Sequence, residues 1–375
     1  MRAAVLVRWA VVALAPFALM AGFAHAQTGS DLGKPGGPVK IVVGYQPYYT
    51  QAWSGVVMRG KKFYEQYLPK GSEVEFQSGL QGAIIVNNML AGKQNIGYMG
   101  DMPSIVATTK HDVADIRLVA NLGLAYDQCN VFLVRNDAPQ FKDANDALKW
   151  LDQKIVAVPK GSCTDRFGQA TFKKVNIQPK EYLNQNIEVI TSNFRAGKID
   201  GAIMWEPTTS RLIQEGLARR IASGASVQEN DGGFLGMRAD LIKTRPDVVK
   251  AWLQAELDAQ LFLAEPKNAA EIVKMAKEQT TGFSERVLWY ALYGTYPEAT
   301  GGVPVRNYMH YTFTPEAREL IKRAAAFLYA IKSINVEQVR PEAIEASWTE
   351  QILKERGLKA PIGAVKALPD SQAPK

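Results

Sequence analysis

Small hydroxylated residues follow a glycine where an apolar strand gives way to a helix, in the segment Pro159-Lys160-Gly161-Ser162-Cys163-Thr164-Asp165-Arg166. The first N–H groups of a helix have no partner within it and the helix dipole is positive there, so such a start can bind an anion. We expect Ser162 and Thr164 to add hydroxyl donors, although either could serve only as an N-cap. Arg166 could clamp an anion or point to solvent.

Three other strand-to-helix corners carry residues that could complete a ligand pocket. They are Gly44-Tyr45-Gln46-Pro47-Tyr48-Tyr49, Gly100-Asp101-Met102-Pro103-Ser104 and Met204-Trp205-Glu206-Pro207-Thr208. Gln46, Tyr49 and Trp205 are candidates for contact with an organic ligand, although Tyr49 could equally pack within its own lobe. Asp101 and Glu206 could cap helices, or they could point into the pocket and bind an ammonium group of the ligand.

Signals for catalysis are weak in this sequence. His25 lies in the N-terminal leader, and neither His111 nor His310 belongs to a cluster with metal-ligand spacing. There is no G-x-S-x-G elbow, Walker A loop or dinucleotide glycine fingerprint. We therefore predict no catalytic residue, no metal site and no cofactor. The two cysteines, Cys129 and Cys163, could form a disulfide or remain buried thiols, and Cys163 also falls at the predicted ligand corner.

Residues 87–103 and 191–207 repeat one local design. Each is predicted to contain a helix closed by the glycine of an Ala-Gly-Lys, since glycine takes the left-handed C-cap conformation at little cost. A short apolar strand, an acidic residue and a proline suited to a helix start follow in both. Two equivalent corners in one chain indicate two similar lobes with a ligand between them.

Short apolar strands alternate with helical patterns over the first two hundred or so residues, which is typical of parallel α/β units. The predicted strands are 39–45, 74–76, 96–99, 116–120 and 130–134 in a first sheet, then 155–158, 187–190 and 202–204, and a return strand at 234–237. We expect the chain to be mainly helical beyond that point. Lobe one is predicted over 38–136 plus 232–357 and lobe two over 137–231, with hinges near 134–139 and 232–234. Residues 358–375, rich in proline and alanine, are predicted to be a flexible tail.

The N-terminus reads as a secretory signal peptide over residues 1–26. Arg2 and Arg8 give a positive start, a largely apolar run follows from Trp9 to Phe23, and Ala24-His25-Ala26 is an A-x-A cleavage pattern. A membrane anchor is the alternative, but the run falls short of the roughly 20 residues that a span needs. The formal net charge of +7 is scattered along the chain, which argues against a nucleic-acid partner and could help to attract an anionic ligand.

The four corners together resemble the nitrate/sulfonate/taurine group of periplasmic substrate-binding proteins of ABC importers. The residues that carry the resemblance are Ile41-Val42-Val43-Gly44-Tyr45-Gln46, Asn95-Ile96-Gly97-Tyr98-Met99-Gly100-Asp101-Met102-Pro103, Ile155-Val156-Ala157-Val158-Pro159-Lys160-Gly161-Ser162 and Ala202-Ile203-Met204-Trp205-Glu206-Pro207. It implies an α/β, two-lobed type II periplasmic-binding-protein fold (Venus flytrap), an ABC permease of the inner membrane as partner, and binding at these corners. Sulfonate binders commonly have a His or Tyr just after the position of Ser162, where this chain has Cys163 to Arg166.

From the residues and this resemblance, we expect a monomeric periplasmic protein that captures a small organic anion between two lobes. The expected anion is a sulfonate or carboxylate, with taurine-like compounds among the candidates. The alternative is a thiamine-precursor (pyrimidine) binding protein or a related enzyme on the same fold. Those enzymes depend on a cysteine-rich stretch that this chain lacks. A sensory subunit that presents its ligand to a membrane receptor is a third possibility.

Overall fold

The computed structural model describes residues 32–375, which form twelve strands. In chain order they are β1 (Lys40–Tyr45), β2 (Glu73–Ser78), β3 (Ile96–Gly100), β4 (Ile116–Ala125), β5 (Val131–Arg135), β6 (Ile155–Val158), β7 (Glu181–Asn184), β8 (Gly201–Met204), β9 (Ala218–Ser223), β10 (Asp231–Arg238), β11 (Val305–Met309) and β12 (Gly363–Lys366). The predicted signal peptide lies outside the described residues.

The strands form two separate mixed sheets. The seven-stranded sheet has the order β12-β11-β4-β10-β3-β1-β2, and the five-stranded sheet has the order β7-β6-β8-β5-β9. In the first sheet β1 runs parallel to β2 and β3, and β10 runs antiparallel to β3 and β4. The second sheet repeats this plan, since β6 is parallel to β7 and β8 whereas β5 is antiparallel to β8 and β9.

Helices cover both sheets. They are α1 (Ser54–Lys61), α2 (Gly82–Leu90), α3 (Asp101–Thr109), α4 (Ala144–Trp150), α5 (Cys163–Val175), α6 (Ile187–Arg195), α7 (Thr208–Gln214), α8 (Gly224–Val227), α9 (Ala239–Thr244), α10 (Pro246–Ala264), α11 (Ala269–Gln279), α12 (Glu285–Tyr293), α13 (Pro315–Ala330) and α14 (Ala346–Glu355). Helix α10, the longest, begins with a proline and packs through its buried face on α1.

The two Ala-Gly-Lys helix ends have the predicted form. Gly92 and Gly197 have positive φ angles of 73° and 63°. After α2, the N–H of Lys93 bonds to the carbonyl of Asn88, and after α6 the N–H of Lys198 bonds to that of Asn193. These bonds close a Schellman motif at each end. The glycine helix ends and the strands of the repeated design are therefore confirmed, and each copy leads into an interior strand of its own sheet.

Three sequence predictions about strands are wrong. Residues 187–190 begin α6 instead of a strand, because the Asn186 side chain accepts the N–H of Val189 and caps a helix. Residues 131–135 pair with β8 and β9 and so belong to the second sheet, since an apolar run does not reveal which neighbour it pairs with. The tail at 358–375 is not free of structure, because β12 pairs with β11.

The chain crosses between the sheets at residues 126–130 and returns at 224–230. The predicted hinges at 134–139 and 232–234 are therefore misplaced, since β5 and β10 already hold much of those segments in the two sheets. The carboxyl ends of β1, β3, β6 and β8 lead into the four predicted corners. Those ends face a common cavity, which is the candidate site.

Candidate ligand-binding site

A cavity of about 830 Å³, counting its open mouth, lies between the two sheets. Residues of the first-sheet side line one wall and residues that follow β6 and β8 line the other. The lining residues are Gln46, Tyr49, Gln81, Gly82, Ala83, Val86, Asn87, Gly100, Pro103, Val106, Pro159, Lys160, Gly161, Ser162, Cys163 and Trp205. All four corners predicted from the sequence contribute to this list.

Three helices begin at the cavity: α2, α3 and α5. Their N-cap positions are Gln81, Gly100 and Ser162, and in the described part of the chain no N-cap side chain closes any of these starts. The first N–H groups of α2 and α5 therefore remain available. At the start of α3 the Met102 N–H donates to Asp101 Oδ1 and Pro103 has no N–H, so this helix contributes mainly its dipole. The positive ends of the three helix dipoles meet in one cavity. Such a place favours a negative charge.

The loop before α5 has a defined geometry. The Ser162 hydroxyl donates to the Pro159 carbonyl at 2.6 Å, and its oxygen lies 2.7 Å from Oγ1 of Thr164. Gly161 has a φ of 77°, in the left-handed region, and its N–H donates to Asp165 Oδ2 at 2.8 Å. Ser162 lines the cavity, whereas Thr164 is buried behind it. The Ser162 hydroxyl can therefore turn to a ligand, with Thr164 supporting it.

Cys129 and Cys163 form a disulfide, which resolves the alternative left open by the sequence. The bond joins the first residue of α5 to the linker at 126–130, and both cysteines are buried. Cys163 lines the cavity as a disulfide sulfur and not as a thiol. Its contribution is to hold the start of α5 against the linker between the sheets.

Two polar atoms in the cavity wall are buried without a protein partner. They are Nε1 of Trp205 and Oε1 of Gln46. Trp205 is 6% exposed and Gln46 is 4% exposed. A buried polar atom left unpaired costs about 1–3 kcal/mol, so such atoms usually have a partner in the functional state. The indole N–H can only donate, which fits an anionic acceptor in the cavity.

Tyr49 and Gly100 make a close contact at the base of the site. A Cβ added to Gly100 would lie 3.3 Å from Cε1 of Tyr49, so the absence of a side chain lets the ring approach the backbone. The Tyr49 hydroxyl donates to the Gly232 carbonyl at 3.5 Å, a long hydrogen bond. Burial raises the pKa of Tyr49 well above its ordinary value, with the nearby Asp231 acting in the same direction, so the phenol stays protonated.

Asp101 and Arg166 bind each other and do not line the cavity. Nη2 of Arg166 lies 3.2 Å from Oδ2 of Asp101, and Nη1 lies 3.2 Å from Oε2 of Glu229. Nη2 also donates to the Asn230 carbonyl at 2.7 Å. Burial raises the pKa of Asp101 above its ordinary value, and the Arg166 guanidinium opposes that rise. This pair bridges the N-terminal turns of α3 and α5, one from each side of the cavity.

Glu206 lies behind Trp205 and also faces away from the cavity. Its Oε2 accepts the N–H of Ser210 at 3.0 Å, and its Oε1 lies 3.9 Å from Nη2 of Arg306. Burial raises the pKa of Glu206, although the Arg306 charge acts in the opposite direction. Its backbone carbonyl accepts the N–H of Thr50 at 3.3 Å, which links the Trp205 corner to the Tyr49 corner.

The sequence identified the start of α3 as a corner of the cavity, but it did not identify α2 or the second turn of α3. Gln81, Gly82, Ala83, Val86 and Asn87 come from the corner after β2, and Pro103 and Val106 come from the first turns of α3. The signal was present as Ser78-Gly79-Leu80-Gln81-Gly82, a strand end followed by glycines and a helix start. That segment lacks the proline that each of the other four corners contains.

The sequence profile of the NMT1-like family matches residues 34–277, more than half of this chain. The chain belongs to the NMT1-like family. As an NMT1-like protein it is similar to the taurine-binding periplasmic protein of Escherichia coli K12, with 25% identity over 251 residues that span 64% of this chain and 73% of that protein.

Solved structures similar to this NMT1-like protein share its fold. The alkanesulfonate-binding protein SsuA of Xanthomonas axonopodis pv. citri, bound to MOPS, superimposes with a TM-score of 0.62 at 19% identity, covering 82% of this chain and 98% of that one. The nitrate-binding protein NrtA of Synechocystis PCC 6803 gives a TM-score of 0.68 at 14% identity, covering 92% of each chain. The predicted resemblance and the two-lobed type II periplasmic-binding-protein fold are thereby confirmed.

Residues 32–375 contain neither a membrane-spanning helix nor a cluster of metal ligands. No helix there is both long and apolar enough to cross a membrane. No group of three or more His, Cys, Asp or Glu side chains in the same residues is arranged to hold a metal ion. The chemistry of the cavity therefore consists of helix N–H groups, neutral polar side chains, apolar walls and Lys160.

Proposed function

We propose that this protein is the periplasmic solute-binding component of an ABC importer and captures a small organic anion, a sulfonate or carboxylate, between two lobes. The observation that carries the proposal is the convergence of three helix starts without side-chain caps and the unpaired Trp205 N–H on one cavity. Gln46, Tyr49, Gly100, Ser162, Cys163 and Trp205 are the predicted site residues that contact the ligand in this proposal. Thr164, Asp101, Arg166 and Glu206 support the cavity wall from behind.

We place the two lobes on the two sheets, with the linkers at 126–130 and 224–230 as hinges. A ligand favours the closed state only if it contacts both lobes, and the cavity wall comes from both sides. A relative named as a taurine-binding periplasmic protein supports export to the periplasm, and delivery to a permease is part of this proposal. The mature protein acts as a monomer in this proposal.

Titration calorimetry against alkanesulfonates, carboxylates, nitrate, bicarbonate and pyrimidines tests the function. We expect submicromolar to micromolar binding of at least one organic anion and recovery of that anion unchanged after incubation. Tight binding of a pyrimidine alone would favour the thiamine-precursor alternative, and a new chemical product would favour an enzyme. A chain that binds none of these compounds would contradict the proposal.

The Trp205→Phe substitution tests the assigned donor. It keeps an aromatic ring in the wall and removes the N–H that lacks a protein partner. A hydrogen bond to a charged group contributes about 1.5–3 kcal/mol, so we expect anion affinity to fall roughly 10-fold or more with little change in melting temperature.

Trp252→Phe provides the matched control. Nε1 of Trp252 donates to the Tyr98 hydroxyl at 3.2 Å in the core of the first-sheet side, away from the cavity. We expect this control to lower the melting temperature and leave anion affinity unchanged. Equal affinities of the wild-type and Trp205→Phe proteins would remove Trp205 from the site.

A further inference from the structure

The cavity wall is nearly free of formal charge. Among the lining residues, all within the described chain, Lys160 is the one with a charged side chain, and none is an aspartate, glutamate or arginine. Asp101 and Glu206, the two acids that could have gripped an ammonium group, are fully buried. Asp101 binds Arg166, and Glu206 accepts a backbone N–H and faces Arg306.

A ligand ammonium group would have no counter-charge in this cavity. It would lose its water of hydration and face the positive ends of three helices. A buried charge without a partner is strongly unfavourable, whereas an anionic group would meet N–H donors and the Trp205 indole. Oε1 of Gln46, also unpaired, can accept from a neutral donor of the ligand but carries no charge that would offset an ammonium group. The wall therefore favours an anion over a zwitterion that carries the same acidic group.

Apolar side chains supply the rest of the wall. Val86 and Ala83 on α2 face the cavity together with Pro103 and Val106 on α3, and Pro159 comes from the opposite side. This composition suits a ligand with hydrocarbon attached to its acidic group. A bare inorganic anion would leave these side chains in contact with water and gain nothing from them.

We propose that the cavity selects an amphiphilic monoanion, with an alkyl or aryl group and no ammonium group, and that the absence of a carboxylate from the wall around Asn87 is what rejects zwitterions. This inference rests on the proposed function and names the substrate class of the same site. Asn87 lies on α2 and lines the cavity. A carboxylate at this position could form an ion pair with a ligand ammonium group.

The matched ligands are ethanesulfonate and 2-aminoethanesulfonate, which differ only by the ammonium group. By titration calorimetry at pH 7 we expect ethanesulfonate to bind at least 10-fold more tightly than 2-aminoethanesulfonate. We expect affinity to rise from methanesulfonate to butanesulfonate by up to about fourfold per buried methylene. Equal or tighter binding of 2-aminoethanesulfonate would overturn the inference and leave the proposed function intact, and binding of no anion at all would overturn both.

The Asn87→Asp substitution tests the reason for the selectivity. It adds one carboxylate to the wall with almost no change in side-chain size, so we expect weaker ethanesulfonate binding and at least a threefold fall in the preference over 2-aminoethanesulfonate. Asn88→Asp is the control, because it adds the same charge one residue further along α2 at a position that does not line the cavity. The role given to the wall would be overturned if Asn87→Asp left the preference for ethanesulfonate over 2-aminoethanesulfonate unchanged. It would also be overturned if Asn88→Asp changed that preference by the same factor.

Discussion

Buried carboxylates in this protein differ in the partners that compensate their charge. Asp127 contacts two buried arginines, Arg220 and Arg306. Glu256 on α10 instead has neutral partners: it accepts from the Tyr98 hydroxyl at 2.8 Å and from Nε2 of Gln260 at 2.9 Å. Burial raises the pKa of Glu256 to about 7, although those hydrogen bonds act in the opposite direction. Near neutral pH this side chain retains a proton that it would lose in the unfolded chain.

Replacement of Glu256 by glutamine should change how stability depends on pH. The pKa of Glu256 is higher in the folded state than in the unfolded chain. Its protonation therefore contributes fully to the unfolding free energy below pH 4.5, and this contribution is lost as the pH rises through about 7. We expect the Glu256→Gln variant to lose this decline, which amounts to about 3 kcal/mol. Urea unfolding at pH 4.5, 6 and 8 measures it as the difference between variant and wild type.

Glu271→Gln is the control for this effect, since that acid is about half exposed and pairs with Lys61 at the surface. Its unfolding free energy should follow the wild-type pH profile to within about 1 kcal/mol. The assignment of the decline to Glu256 fails if the Glu256→Gln variant keeps the wild-type slope between pH 4.5 and 8.

At the scale of elements, the start of α5 is the best supported part of the cavity. Its loop is held by the Gly161 turn, by the Ser162 hydroxyl on the Pro159 carbonyl and by the disulfide to Cys129. The disulfide also connects this ligand-facing helix to the linker between the sheets. Loss of the Cys129–Cys163 disulfide should therefore affect anion binding as well as the stability of the fold.

Replacement of both cysteines by serine should lower stability by about 2–4 kcal/mol, because the unfolded chain loses its cross-link. We expect anion affinity to fall several-fold as well, because the N–H groups at the start of α5 become less well ordered. Chemical denaturation and titration calorimetry, each with and without reductant, measure both effects.

Reductant provides the internal control for the cysteine experiment. It should weaken the wild-type protein to the level of the double serine variant and leave that variant unchanged. If reduced wild-type protein binds the anion as tightly as the oxidised protein, the disulfide supports the fold alone and not the site.

The sequence predicted the corners of the cavity better than the sheets behind them. Glycines, prolines and hydroxyl residues mark where a strand ends and a helix begins, and those local signals led to Gly100, Ser162 and Trp205. Strand partners depend on long-range pairing that no local pattern contains, so β5 was assigned to the wrong sheet. Residues 187–190 show the related weakness of a short apolar run, which fits a strand or a helix until its cap is considered.

The orientation of charged side chains could not be read from the sequence. Asp101, Arg166 and Glu206 stand at the predicted corners, yet all three turn away from the cavity. Asp101 and Arg166 are far apart along the chain and meet only because α3 and α5 begin on opposite walls. Their pairing is a property of the folded molecule as a whole, and it converts two candidate ligand contacts into a structural bridge.

For the whole molecule, this bridge ties together the two sides that the proposed closure brings into contact. Arg166 reaches Asp101 on one side and Glu229 and Asn230 in the returning linker. Removal of one member of a buried ion pair costs about 3–5 kcal/mol, because the other charge stays buried without compensation. We expect Arg166→Gln to lower the unfolding free energy by that order, to increase the radius of gyration of the ligand-free protein and to weaken anion binding.

A double-mutant cycle with Asp101→Asn separates the bridge from direct ligand contact. If Arg166 acts through Asp101, the Asp101→Asn/Arg166→Gln protein should recover at least half of the stability lost in Arg166→Gln, because no uncompensated carboxylate remains on α3. Small-angle scattering and calorimetry on the four proteins then report closure and affinity together. A double variant as compact and stable as wild type that binds no anion would instead place Arg166 among the ligand contacts, as the sequence first indicated.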